Sequence, residues 1–297
     1  MSRTPTIIRD PQEIRSLCDD ERARGASVCL VPTMGALHEG HLDLVREAGN
    51  HGDLVVVSIF VNPAQFGPGE DFDLYPRNLA DDLDKLAPAG AALVFAPSVE
   101  TMYPPNAGTT ISVSGITEGL CGAHRPGHFA GVATIVAKLF NIIGPCAAIF
   151  GRKDYQQLQV IRKMTRDLNM PIKIVGMATV RELDGLAMSS RNEYLSDEER
   201  SRATAIPSGL AAAHVLFDRG EKSVKALLAP VVSSIEGACD SIDYISAADP
   251  VSLAPLDDEA LAGETMLIAL AARIGGTRLI DNTVLGEDRS PLTNSGR

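Results

Sequence analysis

Short aliphatic runs recur along the chain as far as Met177, each closed by glycine, proline or charge. They lie at Val28–Pro32, Leu54–Val61, Ala92–Ala96, Ala147–Phe150 and Ile172–Met177. Such runs are too short for helices and read as strands buried on both faces. Between them, apolar positions recur at helical spacing over Leu42–Asn50, Leu79–Leu86, Val132–Ile143 and Tyr155–Leu168. Strand alternating with helix is the mark of βαβ units, hence an α/β parallel sheet. After Thr179 the texture changes. A charged segment, Val180–Tyr194, leads to Ser196 with Glu199 three residues on, a capping box opening an Ala-rich helix towards Phe217. Pro207 predicts a kink or break in that helix. A second helix over Val224–Ala238 and strands at Ile242–Ser246, Met266–Arg273 and Arg278–Asp281 complete a smaller α+β domain. The expected division is an α/β domain over 1–179, a smaller C-terminal domain over 180–285, and a flexible tail over 286–297.

Composition narrows this picture. Hydrophobic residues make up 45% of 297 positions, enough for a core, but aromatics are 4% and Trp is absent. The core must therefore be Ala, Val, Ile and Leu, which suits helix-covered parallel strands. Lys and Arg number 27 against 38 Asp and Glu, a formal charge of −11. That balance argues against general nucleic-acid binding but allows a local basic site for a small anion. No apolar run approaches the ~20 residues that span a bilayer. The first residues lack the apolar stretch of a secretory signal, so a cytoplasmic protein without a membrane partner is expected. Cysteines at 18, 29, 121, 146 and 239 are odd in number and form no CxxC pair, and are expected as reduced thiols.

Four segments could carry chemistry. Pro32-Thr-Met-Gly-Ala-Leu-His38-Glu-Gly40-His41 follows the first aliphatic run. His38 and His41 share a helix face, and free amides at a helix start suit a phosphate better than a metal. Two surface histidines at a helix start is the bland alternative. Phe60-Val-Asn62-Pro-Ala-Gln65-Phe66 closes the next run, where ligands of open sheets collect. Asn62 and Gln65 among apolar neighbours suit a small polyol acid, or make an ordinary Asn-Pro turn. In Gly151-Arg152-Lys153-Asp154-Tyr-Gln-Gln157, Lys153 suits a triphosphate, and Asp154 suits ribose hydroxyls or a helix cap. Met188-Ser189-Ser190-Arg191 reads as an anion clamp or a plain surface loop. Asp81 and Asp82 open a helix, where acids favour the dipole; a water-mediated role near Mg²⁺ is the other reading. His124 and His128 flank Arg125-Pro-Gly and are either substrate-facing or part of a turn.

In order, PTMGALHEGH, FVNPAQF, YPR, GHFAGV, GRKDYQQ and TVRELDGLAMSSRN resemble the pantothenate synthetase (pantoate–β-alanine ligase) family of HxGH nucleotidyltransferases. DYISAADP and GTRLIDN extend the likeness towards the C-terminus. The resemblance implies a Rossmann-like parallel sheet with helices on both faces, beside the smaller domain. It implies that (R)-pantoate and ATP give pantoyl adenylate and pyrophosphate, and that β-alanine then gives pantothenate and AMP. ATP would lie on Met34, Gly35, Ala36, Leu37, His38, Glu39, Gly40 and His41, on Gly151, Arg152, Lys153 and Asp154, and on Val180, Met188, Ser189, Ser190 and Arg191. His41, His38 and Lys153 would be catalytic, with His41 a proton donor. Gln65 and Gln157, with Asn62, would hold pantoate and β-alanine. Mg²⁺ accompanies ATP, and a homodimer is implied. Arg152 stands where the family often has Glu, and Ala130 where it often has Arg; Arg152 is expected to face solvent or to alter the nucleotide edge. A related nucleotidyltransferase, a tRNA synthetase and a non-catalytic nucleotide sensor are the competing readings.

Overall fold

The aliphatic runs form one wholly parallel six-stranded sheet. In this computed structural model, which describes residues 4–293, its strands are β1 (Thr6–Ile8), β2 (Val28–Thr33), β3 (Leu54–Ile59), β4 (Leu93–Phe95), β5 (Cys146–Gly151) and β6 (Ile172–Met177). Their order is β1-β4-β3-β2-β5-β6. The accompanying helices are α1 (Pro11–Ala23), α2 (Glu39–Ala48), α3 (Leu79–Ala89), α4 (Val99–Met102), α5 (Cys121–His124), α6 (His128–Ile143) and α7 (Tyr155–Asp167). Successive strands run outward from β2 through β3 to β4, then the chain returns to β5 and β6 on the other side. Right-handed crossovers therefore send α2 and α3 to one face and α1 and α6 to the other. Cys29, Val31, Val55, Val57, Val94 and Ile149 pack against Leu42, Val45 and Leu86 on the first face. On the opposite face α1 and α6 touch each other and β2. The topology reverses between β2 and β5, and ligands of such sheets bind at the carboxyl ends flanking that point.

The chain divides into two compact units, and the path is not a single cut. The first holds residues up to Ser114, Arg125–Arg152 and Gln157–Met177; the second holds Gly115–His124, Lys153–Gln156 and everything from Ala178. The second unit is built on an antiparallel sheet of β7 (Ser241–Ala248), β8 (Met266–Ile274) and β9 (Thr277–Leu285). Its helices are α8 (Asp197–Ala203), α9 (Ala205–Asp218) and α10 (Val224–Glu236). The even positions of β8, Met266 to Ile274, pack with Ile206, Leu210, Leu227 and Val231. Its odd positions Leu267 and Ala269 are covered by Tyr155, Leu253, Ile116 and Leu120. The two short inserts thus close the second face of the sheet, which explains the nearly unbroken apolar run MLIALAARI.

Ser196 caps α8, with Glu199 completing the box. The break that Pro207 predicts falls at Thr204, between α8 ending at Ala203 and α9 starting at Ala205: a proline at 207 has no N–H for the Ala203 carbonyl. Pro207 is the third residue of α9, where a backbone N–H has no acceptor within the helix to lose. All five cysteines are free. Among the described residues no helix is long and apolar enough to cross a membrane. Of the expected tail, Pro291 is buried and residues 294–297 lie outside the described residues.

Candidate active site

The strand β2 ends in a turn that two left-handed residues make possible, Gly35 (φ 79°) and Ala36 (φ 50°). For Ala36 that conformation costs about 1–2 kcal/mol, so something must hold it. Asp82, 2% exposed on α3, does so: its carboxylate accepts from Ala36 N–H (3.2 Å) and Leu37 N–H (2.8 Å). Lys85, one turn along α3, donates to Leu37 O at 2.8 Å and pairs with Asp81 at 2.7 Å. A Cβ on residue 35 would stand 2.8 Å from the Asp82 carboxylate, so glycine is required for the grip. Thr33 Oγ1 accepts from Gly35 N–H and donates to Ser58 O, tying the turn to β3. His38 then caps α2, and the His38 and His41 rings lie 4.1 Å apart. His38 N–H donates to His41 Nδ1 at 3.4 Å, which leaves the proton of a neutral His41 ring on Nε2.

At the end of β3, Asn62 caps a 3₁₀ turn, Pro63–Gln65. Asn62 is 1% exposed and all four of its hydrogen-bonding positions meet protein. Its Oδ1 accepts from Tyr103 O–H (2.7 Å) and Ala64 N–H (3.3 Å); its Nδ2 donates to Gln65 Oε1 (3.1 Å) and Gly131 O (3.2 Å). Asn62 therefore orients the Gln65 amide, whose Nε2 faces Met34 Sδ at 2.9 Å. Burial, eased by the bond to Asn62, pushes the Tyr103 hydroxyl up to about 12, keeping it a donor. The GHFAGV motif has its physical reason here: a Cβ on Gly131 would stand 2.1 Å from Ala64 O, so only glycine lets α6 approach. The backbone of Gln65 is braced as well. His128 Nδ1 donates to Gln65 O at 2.8 Å, and Arg125 reaches both His128 Nε2 and Gln65 O. Glu70 receives the Arg125 fork at 2.6 and 2.7 Å. Burial alone would raise the Glu70 carboxyl, but Arg125 outweighs it and holds it at about 2.

Gln157 is half-buried in the first unit, and its amide meets no hydrogen-bond partner among the described residues. Arg152 is also half-buried; its stem passes beside Gly176 of β6, near Arg162, rather than standing out in solvent. Lys153 and Asp154 belong to the second unit, and there Lys153 O accepts from Asn282 Nδ2 at 2.7 Å.

The charged segment of the second unit is a small hairpin. Met188 N–H donates to Val180 O (3.0 Å), Arg181 bridges to Ala187, and Glu182 N–H donates to Leu186 O. Ser189 then caps a 3₁₀ turn over Ser190–Tyr194, accepting from Arg191 N–H. Arg200 of α8 pins the hairpin through Glu182 (2.8 Å) and Asp184 (2.7 Å). His124 belongs to this unit and packs against Tyr244 at 5.7 Å, whereas His128 belongs to the first.

Sequence reasoning missed Lys85, Tyr103 and the Arg125–Glu70 pair, and gave Asp82 no hold on the turn. Their spacing in the chain from the residues they hold carries no local signal. Asp82 alone had one, a carboxylate on the apolar side of its helix.

A parallel sheet whose switch-point strand runs into an HxGH helix start defines a nucleotidyltransferase of the HxGH superfamily. The family profile described as Pantoate-beta-alanine ligase matches residues 6–284. The pantothenate synthetase of Geotalea daltonii is 50% identical over 283 residues, covering 95% of this chain and 99% of that one. The crystal structure of pantothenate synthetase from Thermus thermophilus superposes with a TM-score of 0.87 at 44% identity, covering 94% and 98%. That of the Francisella tularensis pantoate-β-alanine ligase, complexed with β,γ-ATP and β-alanine, gives 0.78 at 31% identity, covering 96% and 99%. The chain belongs to the pantoate–β-alanine ligase family. Its activity is the ATP-dependent, AMP-forming ligation of pantoate and β-alanine to pantothenate through an adenylate intermediate.

Proposed function

We propose that His38, His41 and Lys153 provide the charge that this ligation requires, in a protein that is otherwise acidic. The observation that carries the reading is the His38–His41 pair, 4.1 Å apart at the N-terminus of α2. It follows directly from the strand beside the switch point. In the first half-reaction a pantoate carboxylate oxygen attacks the α-phosphorus and the bond to pyrophosphate breaks. Charge grows on the phosphate oxygens, where His41 Nε2–H and the amides opening α2 donate. Met34 to His41 line the nucleotide, as do Gly151 and Arg152, with Asp154 accepting from the ribose hydroxyls. Lys153, with Ser189, Ser190 and Arg191, takes the leaving pyrophosphate, and Val180 and Met188 shape that loop. Gln65 and Gln157 orient pantoate, which is catalysis by positioning. Asn62 acts through Gln65. In the second half-reaction the β-alanine nitrogen attacks the acyl carbon and the bond to AMP breaks. No covalent bond to the protein is needed.

Among the described residues no three His, Cys, Asp or Glu side chains are grouped to hold a metal ion. Asp81 and Asp82 are already engaged by Lys85 and by the Ala36 and Leu37 amides. That donor set fits magnesium arriving as MgATP, ligated chiefly by phosphates, which is how Mg²⁺ is commonly bound. A cytoplasmic homodimer with no nucleic-acid or membrane partner completes the reading.

The test is pyrophosphate release from MgATP and (R)-pantoate, with and without β-alanine. Stoichiometric release that becomes catalytic, with AMP formed, when β-alanine is added is the expected result. Nucleotide binding without release under either condition would favour a sensor instead.

A further inference from the structure

The GTRLIDN segment has no role in the reading above, yet two of its side chains reach both parts of the second unit proposed to meet the triphosphate. Asp281 and Asn282 are neighbours on β9, so their side chains leave opposite faces of the sheet. Asp281, with its side chain 1% exposed, receives a two-pronged contact from Arg181, at 2.7 and 2.9 Å. The same guanidinium donates to Gly185 O and to Asn282 O, which fixes the hairpin 180–188 from its first strand to its turn. On the other face, Asn282 Nδ2 donates to Lys153 O at 2.7 Å. Asn282 N–H in turn donates to Asp281 Oδ1 at 2.8 Å, so the two anchors are themselves coupled.

The residues after Lys153 are held in the same body. Tyr155 O–H donates to Pro250 O (3.0 Å) while its ring packs with Leu253, Leu267 and Val284. Gln156 Nε2 donates to Ile116 O and Gly119 O, and its Oε1 accepts from Cys121 N–H. The GRKDYQQ motif is therefore shared out: Gly151, Arg152 and Gln157 belong to the parallel-sheet unit, Lys153 to Gln156 to the other.

We propose that Asp281 and Asn282 are positioning residues for the ligation. They register the Lys153 ammonium against the Ser189–Arg191 loop, so that one strand sets both groups that receive the pyrophosphate. The buried pair fixes the hairpin and the Asn282 amide fixes the backbone from which Lys153 projects. Neither touches substrate. The inference rests on the reading of Lys153 given above.

A double-substitution cycle tests it. Asn282→Ala should slow pantoyl-adenylate formation about tenfold, since small misplacements of a reacting group carry effects of this size or larger. The KM for pantoate should stay unchanged, because Gln65 and Gln157 lie in the first unit. In a Lys153→Ala background the same substitution should change the rate less than about twofold, because the two act through one group. Hydrogen exchange gives a readout independent of activity: amides 153–156 should exchange faster in Asn282→Ala, with β8 unaffected. Independent, multiplying losses in the cycle would overturn the inference, as would unchanged exchange at 153–156. Normal adenylation by Lys153→Ala alone would instead overturn the reading beneath it. Should Asn282→Ala fail to fold, Asn282→Gln keeps the amide, lengthens its reach and serves in the same cycle.

Discussion

The segments 34–41 and 180–191 are both proposed to meet ATP, and they differ in what fixes their backbone. The first is held at its peptide groups: Asp82 and Lys85 grip the amides and carbonyl of Ala36 and Leu37 from a neighbouring helix. The hold includes a residue in a strained conformation, which persists only where the surroundings over-determine it. The second is a hairpin closed by its own strand-to-strand bonds and braced from outside by ion pairs, of which the Arg200 contacts to Glu182 and Asp184 lie at the rim, all three groups at least a quarter exposed. Among the described residues, Arg181–Asp281 is the buried ion pair there, beside the buried Leu186 and Ala187. Charge that must meet a growing transition-state charge gains most from a preorganised frame. A loop that must admit and release a nucleotide gains from contacts that water can replace. The difference in bracing thus matches a difference in task.

The largest expected effect bears on the rigid side. His41→Ala should lower the rate of pyrophosphate release with pantoate by about 10²–10³, the usual cost of one preorganised donor. Far-UV circular dichroism should be unchanged. A near-normal rate would mean that the rigid turn is not where the phosphate charge is met, and the comparison would lose its functional half.

A smaller effect separates the braces themselves. Asp82→Ala leaves the Ala36 and Leu37 amides without their acceptor, at about 1–3 kcal/mol for each buried group left unsatisfied. The thermal midpoint should fall and adenylation should slow with it. Arg200→Ala removes two rim pairs, each worth at most about 1 kcal/mol and screened by salt. Its signature should be a raised KM for ATP at low ionic strength that converges with the parent at high salt. If Arg200→Ala destabilised the fold as much as Asp82→Ala, the two segments would not differ in the way proposed.

How much of this could be read from the chain follows the same division. The strands β2 to β6 and the helices α2, α3, α6 and α7 declare themselves by apolar period, because a buried parallel strand has little freedom in composition. The strand β1 has three residues and no period to detect. The helix α1 carried a usable signal, Asp10 as cap with Pro11 at the first position, which period alone passes over. At the site, the motif residues were legible because turn, helix start and chemistry fall within a few positions. Tyr103, Arg125 and Asn282 were not, because each acts on a group brought near only by the fold; Asp82 showed as a carboxylate on the apolar side of its helix, but what it holds did not show. The assignment of Lys153–Gln156 to the second unit has the same cause: it depends on Tyr155 packing with β8, far along the chain.

The finest prediction uses the acids at the heart of each brace, whose carboxyls are displaced in opposite directions from the usual aspartate value of 3.8. Burial raises Asp82, and the Leu37 and Ala36 amides reverse only part of that. Burial would raise Asp184 too, but the Arg200 bond and the Leu186 amide bring it below its usual value. For Asp82 the folded protein binds the proton more tightly than the unfolded chain, so its titration favours the fold at low pH and that contribution is lost as pH rises through the raised value. For Asp184 the contribution is present above 3.8 and is lost as pH falls through the lowered value. The two substitutions Asp82→Asn and Asp184→Asn should therefore change the acid limb of a thermal-midpoint titration in opposite senses. Asp184→Asn removes a loss and should flatten that limb; Asp82→Asn removes a gain and should steepen it. The slope is the readout, because each substitution also shifts the midpoint at every pH by altering hydrogen bonds. Slopes that moved together would show that the two carboxylates share one kind of environment, and the contrast between a backbone-held turn and a rim-held loop would fail at its most direct point.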